Sequence, residues 1–292
     1  MRSQGWISLG HKLTAALRLA RPINSFMIGA GVLIGYLMAS RGALGPALHY
    51  TAGFLTGFFI SSFSMAVNDI HDLAVDMLNR RERPLVLGSL SRRSALGAAL
   101  IFLGLGLFFS AVTGPATLAY ASAYAALGYA YSVLLKRWGI VGNIAVAASV
   151  AAPFPYGALI KGGGLDGFLA LATATAFASA LGREVLKGIP DIEGDKASGI
   201  RTIAVKYGPP TASLVAALAL LMAAVFSVLP FLLGLVGWLY LVTVLPSCLL
   251  HSRLSLKLFR GITGNEAIRA KNTLLIYMGL GLVAFIVGGL TR

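Results

Sequence analysis

Residues 51–76 read TAGFLTGFFISSFSMAVNDIHDLAVD. From Thr51 to Val67 there is no charged side chain, and then Asn68, Asp69, Asp72 and Asp76 follow within nine residues. An apolar run of about this length, extended by the residues before it, crosses the hydrocarbon core of a bilayer as a helix. Acids at its end are too costly for the bilayer interior and belong at the interface. The stretch therefore fixes two things together: a membrane-spanning helix, and a patch of oxygen ligands where it meets water.

The rest of the chain follows the same plan. Of its 292 residues, 57% are hydrophobic and 12% charged, and the mean hydropathy is +0.82. Soluble domains carry about 25% charged residues, so lipid must solvate most of this surface. Nine apolar runs are long enough to span, at about 22–40, 48–67, 94–112, 116–135, 140–160, 167–186, 209–228, 231–250 and 273–290. Thr113–Gly114–Pro115 and Pro230 are read as the tight turns after the third and seventh. Thirty-five glycines favour close helix packing in lipid. Cys248 is the single cysteine, which excludes an intrachain disulfide. Residues 1–21 form an amphipathic lead without a signal-peptide pattern.

A net charge of +14 invites a nucleic-acid reading, but the distribution of the charge excludes one. Segments 1–21, 80–93, 136–137, 183–206 and 253–271 hold 21 of the 24 Lys and Arg, leaving only Arg41, Lys161 and Arg292 on the other side. By the positive-inside rule the N-terminus is cytoplasmic and, after nine spans, the C-terminus lies outside. The expected fold is an all-α, multi-pass cell-membrane protein. It forms a single domain over 1–292, with two four-helix halves (about 22–135 and 140–250) and a ninth helix at 273–290.

Eight of the ten acids fall in two places, both after an even-numbered span on the cytoplasmic side. At 100° per residue, Asn68, Asp72, Asp76 and Asp69 lie at about 0°, 40°, 80° and 100°, on one face. Like charges so placed repel, and a cation must offset them. In the second place, Arg183-Glu184-Val185-Leu186-Lys187-Gly188-Ile189-Pro190-Asp191-Ile192-Glu193-Gly194-Asp195-Lys196, Asp191 and Asp195 share a face while Glu193 points away. A few hard oxygen ligands with room for water and phosphate suit Mg²⁺. The expected ligands are Asn68, Asp72, Asp76, Asp191 and Asp195. Arg80, Arg81, Arg83, Lys136, Arg137, Lys187 and Lys196 are cations for a diphosphate. Neutralising a departing diphosphate is the electrostatic work that breaking an allylic C–O bond requires. Tyr124, Tyr129, Tyr131 and Phe177 are aromatic candidates to shield the carbocation. His71 lies off the acidic face.

These residues resemble the UbiA family of intramembrane prenyltransferases. Asn68, Asp69, Asp72 and Asp76 match its N-D-x-x-D-x-x-x-D motif, and Arg83-Pro84-Leu85 with Gly88 its continuation. Arg183-Glu184, Lys187, Asp191, Asp195 and Gly199-Ile200-Arg201-Thr202 are similar to its second motif; Gly188 and Pro190 depart from it. Tyr131 with Lys136-Arg137, and Arg21-Pro22 with Asn24, also fit. The resemblance implies nine helices around a central cavity, Mg²⁺ bridging a prenyl diphosphate, catalytic roles for Asp69, Asp72 and Asp191, and a lipophilic acceptor. Arg21, Asn24, Tyr131 and Asn143 are the candidates for the acceptor or prenyl pocket. Arg21-Pro22-Ile23-Asn24, Gly142-Asn143 and Phe154-Pro155-Tyr156-Gly157 are most similar to archaeal members that alkylate geranylgeranylglyceryl phosphate; 4-hydroxybenzoate is the other acceptor considered. A glycerol hydroxyl needs a general base, for which Asp69 and Asp72 are equal candidates. A transporter would instead place its charges near the bilayer midplane.

Overall fold

A computed structural model describes residues 9–43, 45–78 and 82–292, which are helices and connecting turns. The helices are α1 Leu9–Leu19, α2 Pro22–Ala39, α3 Ala47–His71, α4 Leu73–Leu78, α5 Arg92–Thr113 and α6 Pro115–Val133. After a 3-10 turn at Leu135–Arg137 come α7 Ile140–Ala151, α8 Pro153–Ile160, α9 Gly167–Lys187, α10 Ile192–Ala197, α11 Ile203–Leu232, α12 Trp238–Phe259 and α13 Gly264–Thr291. Helices are the only open-ended segments that satisfy every backbone group in lipid.

Eight of these, counting α7 and α8 as one span, are long and apolar enough to cross a membrane among the described residues. The ninth expected span does form a helix, α6, with 19 residues. Four tyrosines (Tyr120, Tyr124, Tyr129, Tyr131) with Thr117, Ser122 and Ser132 keep it short of the apolarity of a membrane span.

The expected boundaries need three corrections. Pro230 does not end the seventh span: α11 runs through it to Leu232, and the turn falls at Leu233–Gly237, where Gly234 has φ 69°. A proline is tolerated this close to a helix end, where it removes one intrahelical hydrogen bond, that to the Phe226 carbonyl; the Tyr240 hydroxyl donates to the Ser227 carbonyl at 2.6 Å and ties α12 to this end of α11. The eighth span is therefore Trp238–Phe259, several residues later than expected. The ninth begins early, at Gly264, because Thr263 and Glu266 form a capping box, with the Thr263 N–H donating to Glu266 Oε2 at 2.9 Å. At the other end of α11, Gly208 (φ 84°) kinks the chain before Pro209 and Pro210.

Contacts group residues 1–30 and 51–133 into one compact unit, and 31–50 and 134–292 into another. In the first, α5 packs on α6, and the Gly114 turn (φ 134°) between them is the one expected from Thr113–Gly114–Pro115. Phe59 stacks on Phe102 and Phe109. Ser62 donates to Ser25 at 3.1 Å between buried faces of α3 and α2.

In the second unit α11 is central, packed on α9 and α12, with α13 against α12 and α7 against α9. The contact face of α11 is small: Ala212, Ala216, Ala217, Ala223 and Ala224 are all buried. His251 is fixed by Ser179 (2.8 Å) and by the Ser247 carbonyl (2.9 Å), so its ring is satisfied inside the bundle. The second half of α2 lies directly on α8. A Cβ built on Gly157 would sit 2.3 Å from Tyr36 N and 2.4 Å from Val32 O, and one on Gly35 would sit 2.4 Å from Phe154 O. These obstacles are backbone atoms, which cannot rotate away, so the two helices meet at glycine because nothing larger fits.

Gly157→Ala is therefore expected to lower stability by about 2 kcal/mol or more, whereas Gly279→Ala, with nothing within 4 Å, should be neutral. Thermal unfolding of both variants in detergent, against the parent protein, checks the contrast.

Candidate active site

The first acidic motif begins inside α3 and continues past a bend at Asp72 into α4. The helical register survives the bend: Asp72 N–H donates to Asn68 O at 2.9 Å, and Asp76 N–H to Asp72 O at 2.8 Å. The four side chains thus share a surface as the helical wheel requires, but they divide into two pairs. Asp69 and Asp76 are each 2% exposed, and both are bound by Arg83, which approaches Asp69 Oδ1 at 2.8 Å and also donates to Asp76 Oδ2. Arg21 reaches the same Asp69 oxygen at 2.5 Å and lies 3.5 Å from Met65 Sδ. The other pair is Asn68 and Asp72, with the Asn68 amide donating to Asp72 Oδ2 at 3.0 Å and Asp72 half-buried.

Neutralisation is what allows two carboxylates to be buried here at all. Arg83 and Arg21 supply it from opposite directions in the sequence. Arg21 takes a strained backbone, φ 45°, at the junction of α1 and α2. That strain is tolerable only if the site over-determines the residue. The chain before α2 is thereby tied to the acidic end of α3.

In the second motif, α9 ends at Lys187, a turn carries Gly188 to Asp191, and α10 starts at Ile192. Asp191 stands just before the first turn of α10, and Asp195 N–H donates to Asp191 O at 2.8 Å. The two acids therefore stay one helical turn apart despite the break at Gly188–Pro190. Burial pushes the Asp195 carboxyl up to about 6, and the neighbouring Asp191 charge adds to that. A hydrogen bond from Thr202 and the charges of Lys136 and Lys187 act in the opposite direction. The same Thr202 hydroxyl accepts from Val205 N–H at 3.2 Å and caps α11.

The 3-10 turn bearing Lys136 and Arg137 is held against this loop. Arg201 N–H donates to Arg137 O at 3.4 Å, and Gly139 (φ 56°) lies so close to Arg201 that a Cβ there would meet its carbonyl at 2.0 Å. Lys187 pairs with Glu184 at 2.8 Å, and Arg183 lies 3.5 Å from Glu184. Glu193 and Lys196 are exposed on α10.

Among the described residues no three His, Cys, Asp or Glu side chains come together as a ready-made metal cage. Mg²⁺ does not require one, since it keeps several waters and takes one or two carboxylates plus phosphate oxygens. The donor set fits that habit. Asp72 with the Asn68 amide is a pair of hard oxygen ligands, and Asp191 with Asp195 is a pair whose mutual repulsion a divalent cation would relieve.

Of the other sequence-predicted residues, Arg80 and Arg81 lie outside the described residues. Asn24 is exposed on the first turn of α2, Asn143 is half-buried on the first turn of α7, and Tyr131 is half-buried on the last turn of α6. His71 is exposed at the end of α3 with Tyr129 edge-on at 6.2 Å, and Tyr124 stacks on Tyr120 at 4.8 Å. Three partnerships escaped the sequence reading: Arg21 with Asp69, Arg83 with Asp69 and Asp76, and Thr202 with Asp195. All three residues stand in stretches the sequence singles out, but spacing along a chain says nothing about which carboxylate a distant side chain meets.

Comparison with known proteins covers nearly the whole chain. A family model described as the UbiA prenyltransferase family matches residues 28–287. The chain is 36% identical over 293 residues to the digeranylgeranylglyceryl phosphate synthase of Archaeoglobus fulgidus, covering 99% of each. It is 35% identical over 275 residues to that of Methanopyrus kandleri, covering 94% of this chain and 98% of the relative. Among solved structures, that of a digeranylgeranylglyceryl phosphate synthase superposes with a TM-score of 0.83 at 28% identity, covering 96% of this chain and 99% of the other. A UbiA homologue from Archaeoglobus fulgidus bound to DMAPP and Mg²⁺ shares the fold with a TM-score of 0.69 at 21% identity, covering 92% and 98%.

Removing the cation between two buried acids should be costly. Arg83→Ala is expected to destabilise the protein by about 3 kcal/mol or more. Lys187→Ala, whose side chain is 40% exposed, should cost about 1 kcal/mol or less. Thermal unfolding in detergent distinguishes the two.

Proposed function

This chain belongs to the UbiA prenyltransferase family, and from that premise we propose that it transfers a geranylgeranyl group from its diphosphate to geranylgeranylglyceryl phosphate, forming an ether bond of archaeal lipid. The observation that carries the reading is the pairing of oxygen ligands at each motif, Asn68 with Asp72 and Asp191 with Asp195, each pair beside fixed cations. The acceptor is inferred from the full-length similarity to named digeranylgeranylglyceryl phosphate synthases.

Mg²⁺ bound by these carboxylates would supply positive charge to the diphosphate as it leaves. The chain's own residues do the rest. Asn68 with Asp72, and Asp191 with Asp195, would each hold a metal ion, and Asp76 would join the first pair if Arg83 released it. Lys136, Arg137, Lys187 and Lys196 offer donors to phosphate oxygens, and Arg80 and Arg83 are assigned to the same work. Asp69 stays anchored between Arg21 and Arg83 and keeps the end of α3 in place. Asp69 and Asp72 are the two candidates for the base that takes the proton of the acceptor hydroxyl. Asn24, Tyr131 and Asn143 are assigned to the prenyl or acceptor pocket. With the basic loops on the cytoplasmic side, the active site faces the cytoplasm, the N-terminus lies inside and, with α6 as a ninth span, the C-terminus lies outside.

Purified protein incubated with Mg²⁺ and labelled geranylgeranyl diphosphate is expected to label geranylgeranylglyceryl phosphate and not 4-hydroxybenzoate; the reverse result would overturn the acceptor assignment. Asp72→Asn and Asp191→Asn should each lower turnover at least about 100-fold with unfolding temperatures near that of the parent protein, while Glu193→Gln stays near wild type.

The pH dependence follows from Asp195. Its folded value, about 6, lies above the ordinary 3.8, so the metal-free protein gains stability as pH falls through 6 and the proton binds. Mg²⁺ must displace that proton. Below about pH 6 the apparent Mg²⁺ dissociation constant should therefore rise by up to about tenfold per pH unit, and Asp195→Asn should remove this part of the dependence. Calorimetric Mg²⁺ titrations between pH 5 and 8 test it.

A further inference from the structure

The face of α3 that carries Asn68 and Asp72 continues down the helix into its membrane span. Turning back from Asn68 at about 100° per residue, Met65, Ser61, Phe58 and Phe54 lie at about 60°, 20°, 80° and 40°. Asp72, at about 40°, stands over the same strip. The rest of the helix is taken up by its neighbours in the first compact unit. Ser62, at about 120°, donates to Ser25 of α2. Phe59, at about 180°, stacks on Phe102 and Phe109 of α5. Ile60, at about 280°, meets α5 at Gly106, and Ser64, at about 320°, meets α6 at Gly128. Within this unit the strip therefore occupies the sector between α6 and α2, from the ligands of the first motif down to two phenylalanines.

Those two rings are fixed from both sides. Phe54 and Phe58 stack on each other with centroids 6.5 Å apart. Phe54 has Phe26 of α2 edge-on at 5.3 Å, and its ring fills the place of a side chain at Gly29, where a Cβ would meet it at 2.9 Å. Phe58 has Phe59 edge-on at 5.3 Å, and Phe59 rests in turn on the α5 rings. The aromatic layer thus runs from α2 across α3 to α5. A ring packed on rings is a stiff stop, whereas the thioether of Met65 above it is flexible and Ser61 is small.

We propose that Phe54 and Phe58 determine the length of the prenyl donor by stopping its tail after four isoprene units. The inference rests on the reading that Asn68 and Asp72 hold a prenyl diphosphate through Mg²⁺. With the charged end kept at the interface, the apolar tail must run into the span. At about 1.5 Å of rise per residue, Phe58 lies about 15 Å and Phe54 about 21 Å deeper than Asn68. A geranylgeranyl tail has about sixteen carbons in line, and at roughly 1.2 Å of advance per bond it reaches about 19 Å. Its last unit therefore ends against the Phe54–Phe58 pair. One more isoprene unit adds about 5 Å and would have to displace a ring or bend aside.

The test is displacement of labelled geranylgeranyl diphosphate from the purified protein in Mg²⁺, without acceptor. The competitors are unlabelled geranylgeranyl diphosphate and the diphosphate one isoprene unit longer. The parent protein is expected to bind the longer compound about tenfold more weakly. Phe58→Ala and Phe54→Ala should each close most of that gap, and Phe58→Leu should move the ratio in the same direction by less. Phe102→Ala, which removes a ring of the same layer away from the strip, should leave the ratio as in the parent protein. Each result is a ratio of two affinities in one protein, so a general loss of stability cancels, and Phe58→Leu decides the matter if the alanine variants do not fold. Equal binding of both lengths by the parent protein, an unchanged ratio in the Phe58 variants, or an equal change in Phe102→Ala would overturn the length assignment while leaving the diphosphate site in place. Absence of any saturable displacement would instead overturn the site reading, and this inference with it.

Discussion

The constraint on which the first motif depends is the burial of Asp69 and Asp76 at the end of a membrane-spanning helix. Neither carboxylate survives there without a cation. The chain provides two, Arg21 from before α2 and Arg83 from beyond α4. One residue therefore fixes the approach of the N-terminal segment, the other folds the loop after α4 back onto the helix, and both do so by neutralising the same carboxylate. Stability and preorganisation come from one set of contacts. Asp72 and Asn68, beside this clamp, are hydrogen-bonded to each other and keep partial access to water. The four conspicuous oxygen ligands of the motif thus do unequal work: two make the structure and two are presented by it.

The second motif solves the same problem with weaker means. Among the described residues no arginine is paired with Asp195. It has a threonine hydroxyl, two lysine charges at some remove and a like-charged neighbour, and burial with that neighbour holds its carboxyl up at about 6. A site poised in this way takes up a divalent cation more readily than one already locked by a guanidinium, because no ion pair must first be broken. The Thr202 hydroxyl is shared between this carboxylate and the first turn of α11, so the position of the ligand is set by the start of the longest helix. Gly139, pressed against Arg201, brings the Lys136–Arg137 turn to the same loop.

Much of this was legible in the sequence, and the parts that were not have physical reasons. Apolar run length and the distribution of Lys and Arg located the spans, because lipid solvation acts on each segment by itself. The wheel placed Asp191 with Asp195, and Asp72 with Asn68, because those separations are one helical turn and survive the bend at Asp72 and the break at Gly188–Pro190. Local punctuation was less reliable. Pro230 reads as a turn in isolation, yet it lies two residues inside the end of α11, and Gly234 turns the chain instead. The fourth expected span was placed by run length and does form helix α6, but its four tyrosines keep it out of the eight that are apolar enough to cross. Arg21 was singled out, but for the acceptor pocket; that it meets Asp69 depends on a contact 48 residues away in sequence, which no periodicity encodes.

Helix α9 joins these themes. Acids and cations meet at both of its ends. At the C-terminal end, Glu184 is matched by Lys187 and Arg183, and just beyond, Asp191 and Asp195 stand one helical turn apart, two carboxylates whose repulsion a divalent cation would relieve. At the N-terminal end, Asp166 caps the helix by accepting from Leu169 N–H at 2.9 Å and also binds Arg292. A helix in lipid cannot share charge between its two ends, since about 30 Å of hydrocarbon separates them. Each end must therefore be balanced locally: Asp166 by a fixed side chain, and the acids of the second motif by lysines and by a metal cation together with the anion it carries.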